Sequence, residues 1–199
     1  MTRLSLPRPE LPLYSEETDW LRKTLPIKRF EHSLRVADLA FTLGHFHGVT
    51  NPELAYLAGL LHDNAKYKTP DDIEQSGIPR HHCFTELYAQ YPVIWHAFIG
   101  PRLIQQFTTN KDVLHAMRWH TTGRDRLRPI AQLVYIADYC EPGRTQYNRD
   151  YIYNLAVNDL TKAMAVIAHE QYARHGSDTC FWATKACWRY YRWHRNMTL

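Results

Sequence analysis

The sequence predicts an all-α fold, a compact single domain built from many helices. From about residue 15 almost to the end, apolar residues recur at the three- and four-residue spacing of helices that bury one face. No segment alternates apolar and polar residues between hairpin turns, so no strand is predicted. The chain has 199 residues, of which 45% are hydrophobic and 22% charged. This composition fits one globular domain that is long enough to bury a core.

The N-terminal half contains helix starts that can be justified one by one. Residues 1–14 include three prolines and are predicted to form an irregular lead-in to a domain over 15–199. Ser15, followed by two glutamates, resembles an N-cap. Asn51 before Pro52 marks the start of a helix that is apolar almost all round and therefore central. The other helices predicted in this half span about 27–46, 70–76 and 81–91.

The C-terminal half continues as helices joined by short loops that contain Gly, Pro, Asn or Thr. The segment from Glu141 to Arg144 contains proline and glycine and is predicted to end one helix before the next begins. A long helix is expected over about 150–175, ending at Gly176. A last helix, rich in Trp and Tyr, is expected over about 179–194. The three preceding helices are predicted at about 94–107, 111–120 and 128–140.

The sequence also limits the expected cellular location and the expected binding partners of the protein. Residues 54–61 are too short an apolar stretch to cross a bilayer, and prolines and charges interrupt the N-terminus, so we expect a cytoplasmic protein without a signal peptide. The four cysteines form no CxxC pair and are expected to be reduced thiols. Cys180 and Cys187 are two helical turns apart and are predicted to face the core rather than a metal. The net charge of +4 favours anionic partners only weakly.

The twelve histidines are the compositional outlier, and His62-Asp63 is the strongest candidate site among them. This pair ends a helix of apolar residues. A buried carboxylate without a partner is very costly, and a metal ion beyond the helix end would supply the counter-charge. Asp138 is a second anomaly, because it lies late in an apolar run with no Lys or Arg three or four residues away.

Three further histidines lie in comparable helical settings, namely His32, His96 and His120. Imidazole and carboxylate ligands suit iron, manganese, zinc or cobalt. Six such side chains are more than one ion takes while it keeps open positions for substrate. The sequence therefore predicts a two-metal centre with a shared carboxylate. The other eight histidines are interpreted as structural or surface residues.

The chain resembles the HD superfamily of metal phosphohydrolases and, more narrowly, the YqeK family. The matching blocks span residues 29–164 and read RFEHSLRVADLA, LAYLAGLLHDNAK, WHAFIGP, AMRWHTTGR, LVYIADYCEPGR and NLAVNDLTKAM. The HD pair alone is not specific, but HDxAK, HTTG and ADYxEP in this order are. Asn64 and Ala97 depart from the family, which has an apolar residue and a glycine at these positions, and neither departure removes a ligand.

The resemblance implies an activity, a metal and a role for each ligand. It implies symmetrical hydrolysis of diadenosine tetraphosphate to two ADP by a metal-activated water, with Asp63 and Lys66 as the catalytic residues. The expected cofactor is a pair of divalent ions, with iron preferred and manganese or cobalt as alternatives. The resemblance divides the ligands between His32, His62, Asp63 and Asp138 for one ion, and Asp63, His96 and His120 for the other.

Substrate contacts are expected around the ligands. Lys66, one turn beyond His62-Asp63, is predicted to hold a phosphate oxygen, although it could be a solvated lysine. Residues next to His120 could offer hydroxyl and backbone donors, or simply form a loop. Two arginines are weaker candidates, with ordinary surface positions as the alternative. The candidates other than Lys66 are Thr121, Thr122, Gly123, Arg124 and Arg144.

Other functions remain open at this level. An HD hydrolase could act on another nucleotide, such as guanosine tetraphosphate or a deoxynucleoside triphosphate. The aromatic and basic residues over 182–195 could bind a single-stranded nucleic acid. We expect no nucleic acid partner, because packing of these aromatic rings onto the core explains the pattern as well. A degenerate domain without activity is disfavoured, since all six ligand types are present. A homodimer is compatible with the sequence.

Overall fold

The computed structural model describes residues 14–175 and 179–196, and within these ranges the chain is helical and contains no strand. The all-α prediction is confirmed. The predicted lead-in lies outside the described residues except for Tyr14, and so does the predicted helix end at Gly176.

The helices are α1 (Ser15–Thr24), α2 (Ile27–Phe46), α3 (Pro52–Leu61), α4 (Pro70–Gln75), α5 (His82–Gln90), α6 (Pro92–Leu103), α7 (Lys111–Trp119), α8 (Pro129–Cys140), α9 (Arg149–Asn158), α10 (Leu160–His175), α11 (Trp182–Tyr191) and a 3₁₀ helix (Arg192–Asn196).

The long helix predicted over 150–175 is in fact two helices, α9 and α10. The backbone of Asp159 is extended between them, with φ −154° and ψ 98°. Its carboxylate accepts a hydrogen bond from the Lys162 N–H at 2.9 Å, as a residue that starts a new helix does. The apolar periodicity runs on through this break, and therefore the sequence pattern did not reveal it.

Two predicted caps differ in the structure. Tyr14, not Ser15, is the residue before α1, and no side chain caps this helix. Asn51 does precede α3, but its φ of 57° turns the backbone left-handed and its side chain makes no capping hydrogen bond. The proline at the first position of α3 starts the helix, because its fixed φ is already helical and its missing N–H needs no partner.

Helix α3 is the centre of the domain. It packs against α2, α7 and α8, and every residue from Ala55 to Leu61 is buried. The contact with α2 is very close at Gly59, where an added Cβ would lie 2.9 Å from the Cα of Ala37. This close approach brings the end of α3 beside the first turns of α2. The segments that carry His62 and His32 therefore face each other.

The C-terminal helices cover the other side of α8. Helix α10 packs against α8, α9 and α11. Cys187 of α11 is buried as predicted, whereas Cys180 precedes the helix and is only half-buried, so the two thiols do not share a helix face. Tyr191 is buried, but Trp182, Tyr190 and Trp193 are exposed, so the aromatic residues of this segment only partly pack on the core. Among the described helices, none is both long and apolar enough to span a bilayer.

The close contact between α2 and α3 makes a prediction for stability. Replacing Gly59 by Ala would force the two helices apart, because the nearest atoms are backbone atoms of Ala37 and Val36 that no side-chain rotation can move. We expect a loss of about 1–3 kcal/mol in the free energy of unfolding, measured by urea denaturation. Lys28→Ala, at an exposed position of α2, is the control and should change stability by less than about 0.5 kcal/mol. A Gly59→Ala variant as stable as this control would contradict the packing argument.

Candidate metal centre

The structure brings all six predicted ligands together at one end of α3. His32 comes from α2, His96 from α6 and Asp138 from α8, while the remaining three lie at the ends of α3 and α7. Five of the six are buried, and Asp138 keeps 19% of its side chain exposed.

The carboxylate of Asp63 lies at the middle of the cluster. Its Oδ1 is 2.9 Å from Nε2 of His96 and 3.6 Å from Nε2 of His120. Its Oδ2 is 3.4 Å from Nε2 of His62 and 3.9 Å from Nε2 of His32. One carboxylate therefore faces imidazoles on both of its edges, which is the arrangement that a bridging ligand requires.

Asp138 lies at the edge of the cluster that faces His32. Its Oδ1 is 3.0 Å from Nε2 of His32 and 3.9 Å from Nε2 of His62. Potential ligand atoms of these three residues all lie within 4.8 Å of one another, and the same is true of His62, Asp63 and His120. Two overlapping groups of this size can hold two neighbouring ions.

Backbone carbonyls orient two of the imidazoles. Nδ1 of His62 donates to the carbonyl of Gly59 at 2.6 Å, and Nδ1 of His120 donates to the carbonyl of Met117 at 2.7 Å. Both acceptors lie three residues earlier, in the last turn of a helix, where carbonyls lack helical partners. These bonds place the proton on Nδ1 and leave the lone pair of Nε2 directed at the centre.

Glu141 orients His32 and was missed by the sequence analysis. Its Oε1 is 3.0 Å from Nδ1 of His32, and its Oε2 accepts from Nε of Arg35 at 2.6 Å and from the N–H of Gly143 at 2.5 Å. Burial alone would raise the pKa of Glu141, but hydrogen bonds from His32 and Arg35 lower it to about 2. A signal existed in the sequence, because Glu141 is a charged residue directly after a buried helix.

The charges of the cluster suit a divalent cation. Burial lowers the pKa of His62 and brings that of His96 to about 4, so these imidazoles are neutral and able to coordinate. Burial would raise the pKa of Asp63, but the surrounding imidazoles, His62 first, hold it well below the usual range. For Asp138, the close contact with His32 likewise outweighs burial and keeps the pKa low.

Unsatisfied polar atoms test whether the residues fit metal ions. The Nε2 atoms of His32 and His62 and Oδ1 of Asp63 are buried and make no hydrogen bond within residues 14–175 and 179–196. Nε2 of His96 and Nε2 of His120 are 3.0 Å apart, and both nitrogens face Oδ1 of Asp63. Buried polar atoms without partners are costly. Cations at the centre would satisfy all of these lone pairs, and the residues therefore fit a metal site.

Two arginines also neutralise the carboxylates, which the sequence analysis did not foresee. Nη1 of Arg29 is 2.9 Å from Oδ2 of Asp63, and Nη2 of Arg144 is 2.5 Å from Oδ1 of Asp138. As predicted, Asp138 has no ion-pair partner three or four residues away in its own helix, and in the folded chain its partner is Arg144. Arg144 reaches back from the loop six residues later, where helical spacing rules do not apply.

A cavity of about 460 Å³ opens above the ligand cluster. His120 and Asp138 line it on the side of the ligand cluster, and Lys66 and Arg144 add positive charge there. Aromatic, polar and a few aliphatic residues line the remainder. These include Tyr91, Tyr135, Tyr139, Gln171, Arg174 and Phe181.

Most of the predicted substrate-binding residues line this cavity, but two do not. Lys66, Thr121, Thr122 and Arg144 are lining residues, and the hydroxyl of Thr121 is 2.9 Å from Nε2 of His120. Gly123 instead donates its N–H to the carbonyl of Trp119 and therefore cannot donate it to a substrate. Gly123 has a φ of 60°, and Cys187 occupies the space where a Cβ would lie. Both observations explain why this position is a glycine. Arg124 pairs with Asp125 and lies over the Trp119 ring, outside the lining.

Comparisons with known proteins agree with this geometry. The model of the HD domain family matches residues 29–143, which is more than half of the chain. The chain belongs to the HD domain family. The predicted resemblance to HD phosphohydrolases is thereby confirmed, and the matched segment contains all six candidate ligands.

This HD domain protein is similar to curated and solved relatives. It is 31% identical over 146 residues to a symmetrical bis(5'-nucleosyl)-tetraphosphatase of Bacillus subtilis, covering 72% of this chain and 77% of the relative. It is 34% identical over 139 residues to the protein of the same name in Staphylococcus aureus, covering 69% and 71%. The crystal structure of a predicted HD superfamily hydrolase involved in NAD metabolism from Clostridium acetobutylicum superposes with a TM-score of 0.77 at 29% identity, covering 90% of this chain and 96% of that one.

The contact between Glu141 and His32 makes a prediction for metal affinity. In Glu141→Ala, His32 loses the carboxylate that fixes its ring, so the affinity for Mn²⁺ measured by calorimetry should fall about 10- to 100-fold. Glu141→Gln keeps an oxygen acceptor and should lose less. Glu86→Ala, at an exposed ion pair with His82, is the control. Unchanged affinity in a folded Glu141→Ala protein would show that the orientation of His32 does not depend on this contact.

Proposed function

We propose that this HD domain protein hydrolyses diadenosine tetraphosphate symmetrically to two ADP. The observation that carries the proposal is the cavity that reaches the ligand cluster at His120 and Asp138, in a chain whose relatives are named symmetrical tetraphosphatases. Phosphoanhydride hydrolysis at a two-metal centre needs this combination of a ligand cluster and an accessible basic cavity.

Six side chains would hold the metals, and Asp63 would be shared between the two ions. Divalent ions bound there supply a water of lowered pKa and neutralise charge on the phosphates. We propose iron as the resident metal, with manganese and cobalt as alternatives, because imidazole and carboxylate donors suit all three. The cytoplasm as location and a homodimer as assembly remain predictions.

The charges that line the cavity match a polyphosphate. Lys66, Arg144 and Arg174 contribute positive charge, whereas Asp138 is the single carboxylate among the described lining residues. Nζ of Lys66 is 3.6 Å from Oδ1 of Asp63 and 3.3 Å from Nε2 of His96, so a phosphate held by this lysine lies against the ligand cluster. These groups orient the anhydride and stabilise the charge that develops on it.

The reaction balances with water as the second substrate. A water oxygen bonds to one of the two central phosphorus atoms, and the bond from that phosphorus to the bridging oxygen breaks. The ADP that leaves carries the bridging oxygen, and the other ADP carries the oxygen of water. The hydroxyl of Thr121, beside His120, can donate to a phosphate oxygen at this point. The cleavage is symmetrical if the central anhydride is the one held over the cluster.

A nucleotide panel tests the proposed function. The metal-loaded protein should convert diadenosine tetraphosphate to ADP alone, and chromatography of the products should show no ATP and no AMP. In water enriched in ¹⁸O, one label should enter per two ADP molecules formed. Guanosine tetraphosphate and deoxynucleoside triphosphates are the comparison substrates. Faster hydrolysis of either of these, or release of ATP with AMP, would refute the assignment.

Asp63 makes the sharpest test of the metal centre. Asp63→Ala removes the carboxylate that faces four imidazoles, so we expect loss of bound metal by elemental analysis and a fall in turnover of at least about 1,000-fold. The matched control is Asp150→Ala, which removes an exposed carboxylate of α9 and should retain both properties. Normal metal content with normal turnover in Asp63→Ala would eliminate the proposed centre.

A further inference from the structure

The cavity volume suits a ligand of about the size of one nucleotide. This volume of about 460 Å³ lies near the lower end of the range of about 300–1,000 Å³ for sites that enclose one drug-sized ligand. Diadenosine tetraphosphate consists of two ADP units. If the central anhydride lies over the ligand cluster, one ADP unit can occupy the cavity and the other must leave it. This step rests on the proposed function.

Positive charge continues past the ligand cluster on the side of Asp63 Oδ2. Arg29 contacts this oxygen at 2.9 Å and does not belong to the described cavity lining, and 24% of its side chain is exposed. Lys66 contacts the other oxygen of Asp63 and does line the cavity. Phosphates that extend from the cavity across Asp63 would therefore pass from Lys66 to Arg29.

Tyr67 lies at the end of this path. It follows Lys66 directly in the chain, it does not belong to the described lining of the cavity, and its side chain is 60% exposed. Its side chain interacts with the guanidinium of Arg29, and this interaction helps to raise the pKa of Arg29. An exposed aromatic ring beside an arginine is a platform on which a nucleobase can stack.

We propose that Tyr67 and Arg29 form a second nucleotide subsite, outside the cavity, for the other ADP unit of the substrate. The Tyr67 ring stacks on its adenine, and Arg29 binds its phosphates. This subsite distinguishes dinucleoside polyphosphates from mononucleotides, because a mononucleotide fills the cavity and leaves Tyr67 without a partner. Tyr67 is thus a specificity-determining residue rather than part of the metal centre.

The test compares two substrates that differ in one adenosine. Tyr67→Ala should raise the KM for diadenosine tetraphosphate about 10-fold, which is toward the lower end of the roughly 5- to 150-fold effect of removing base stacking, because the ring is exposed. The KM for adenosine 5'-tetraphosphate, which has no second adenosine, should not change. Equal effects on both substrates, or no effect on either, would overturn the subsite.

Three further variants keep the result interpretable. Tyr67→Phe retains the ring and should keep most of the affinity, so a loss equal to that of Tyr67→Ala would refute stacking. Tyr67→Leu retains bulk without an aromatic face and replaces Tyr67→Ala if the latter has a lowered Tm. Tyr151→Ala removes a ring that is 55% exposed on α9 and should match the wild type. Failure of the wild type to release ADP would instead count against the proposed function, before any variant is compared.

Discussion

The buried carboxylate of Asp63 is the constraint on which the rest of the site depends. An ionised carboxylate loses its hydration when it is buried, and the fold must replace that solvation. Four imidazole nitrogens lie 2.9–3.9 Å from its two oxygens, and Arg29 and Lys66 contribute positive charge. Imidazoles and an ionised carboxylate in one cluster form a ligand set that divalent ions complete.

The helical scaffold supplies the precision that this cluster needs. Gly59 allows α2 and α3 to approach closely, and its carbonyl also orients His62. Glu141, at the end of α8, fixes His32 and is itself held by Arg35. The groups that orient the ligands therefore lie in, or directly after, helices that also contribute ligands. Packing and ligand geometry are coupled, and a change in one is expected to disturb the other.

The substrate is handled by charge distribution as well as by the metals. Positive side chains line the cavity and continue beyond the cluster to Arg29, so a chain of phosphates finds a counter-charge on both sides of Asp63. A long, flexible anion gains orientation from such a path, and cleavage at its midpoint requires the path to extend in both directions. Tyr67 lies where the path outside the cavity ends.

The sequence by itself determined the helical class, the buried α3 and the identity of the six candidate ligands. These depend on local periodicity and on polar residues placed in apolar surroundings, which are visible without a structure. Only the tertiary structure decided which atoms face each other. The roles of Glu141 and Arg29, the pairing of Arg144 with Asp138 and the turn role of Gly123 all follow from contacts between distant segments. The sequence did not predict the break between α9 and α10 at Asp159, because a capping carboxylate can interrupt a helix without interrupting its apolar pattern.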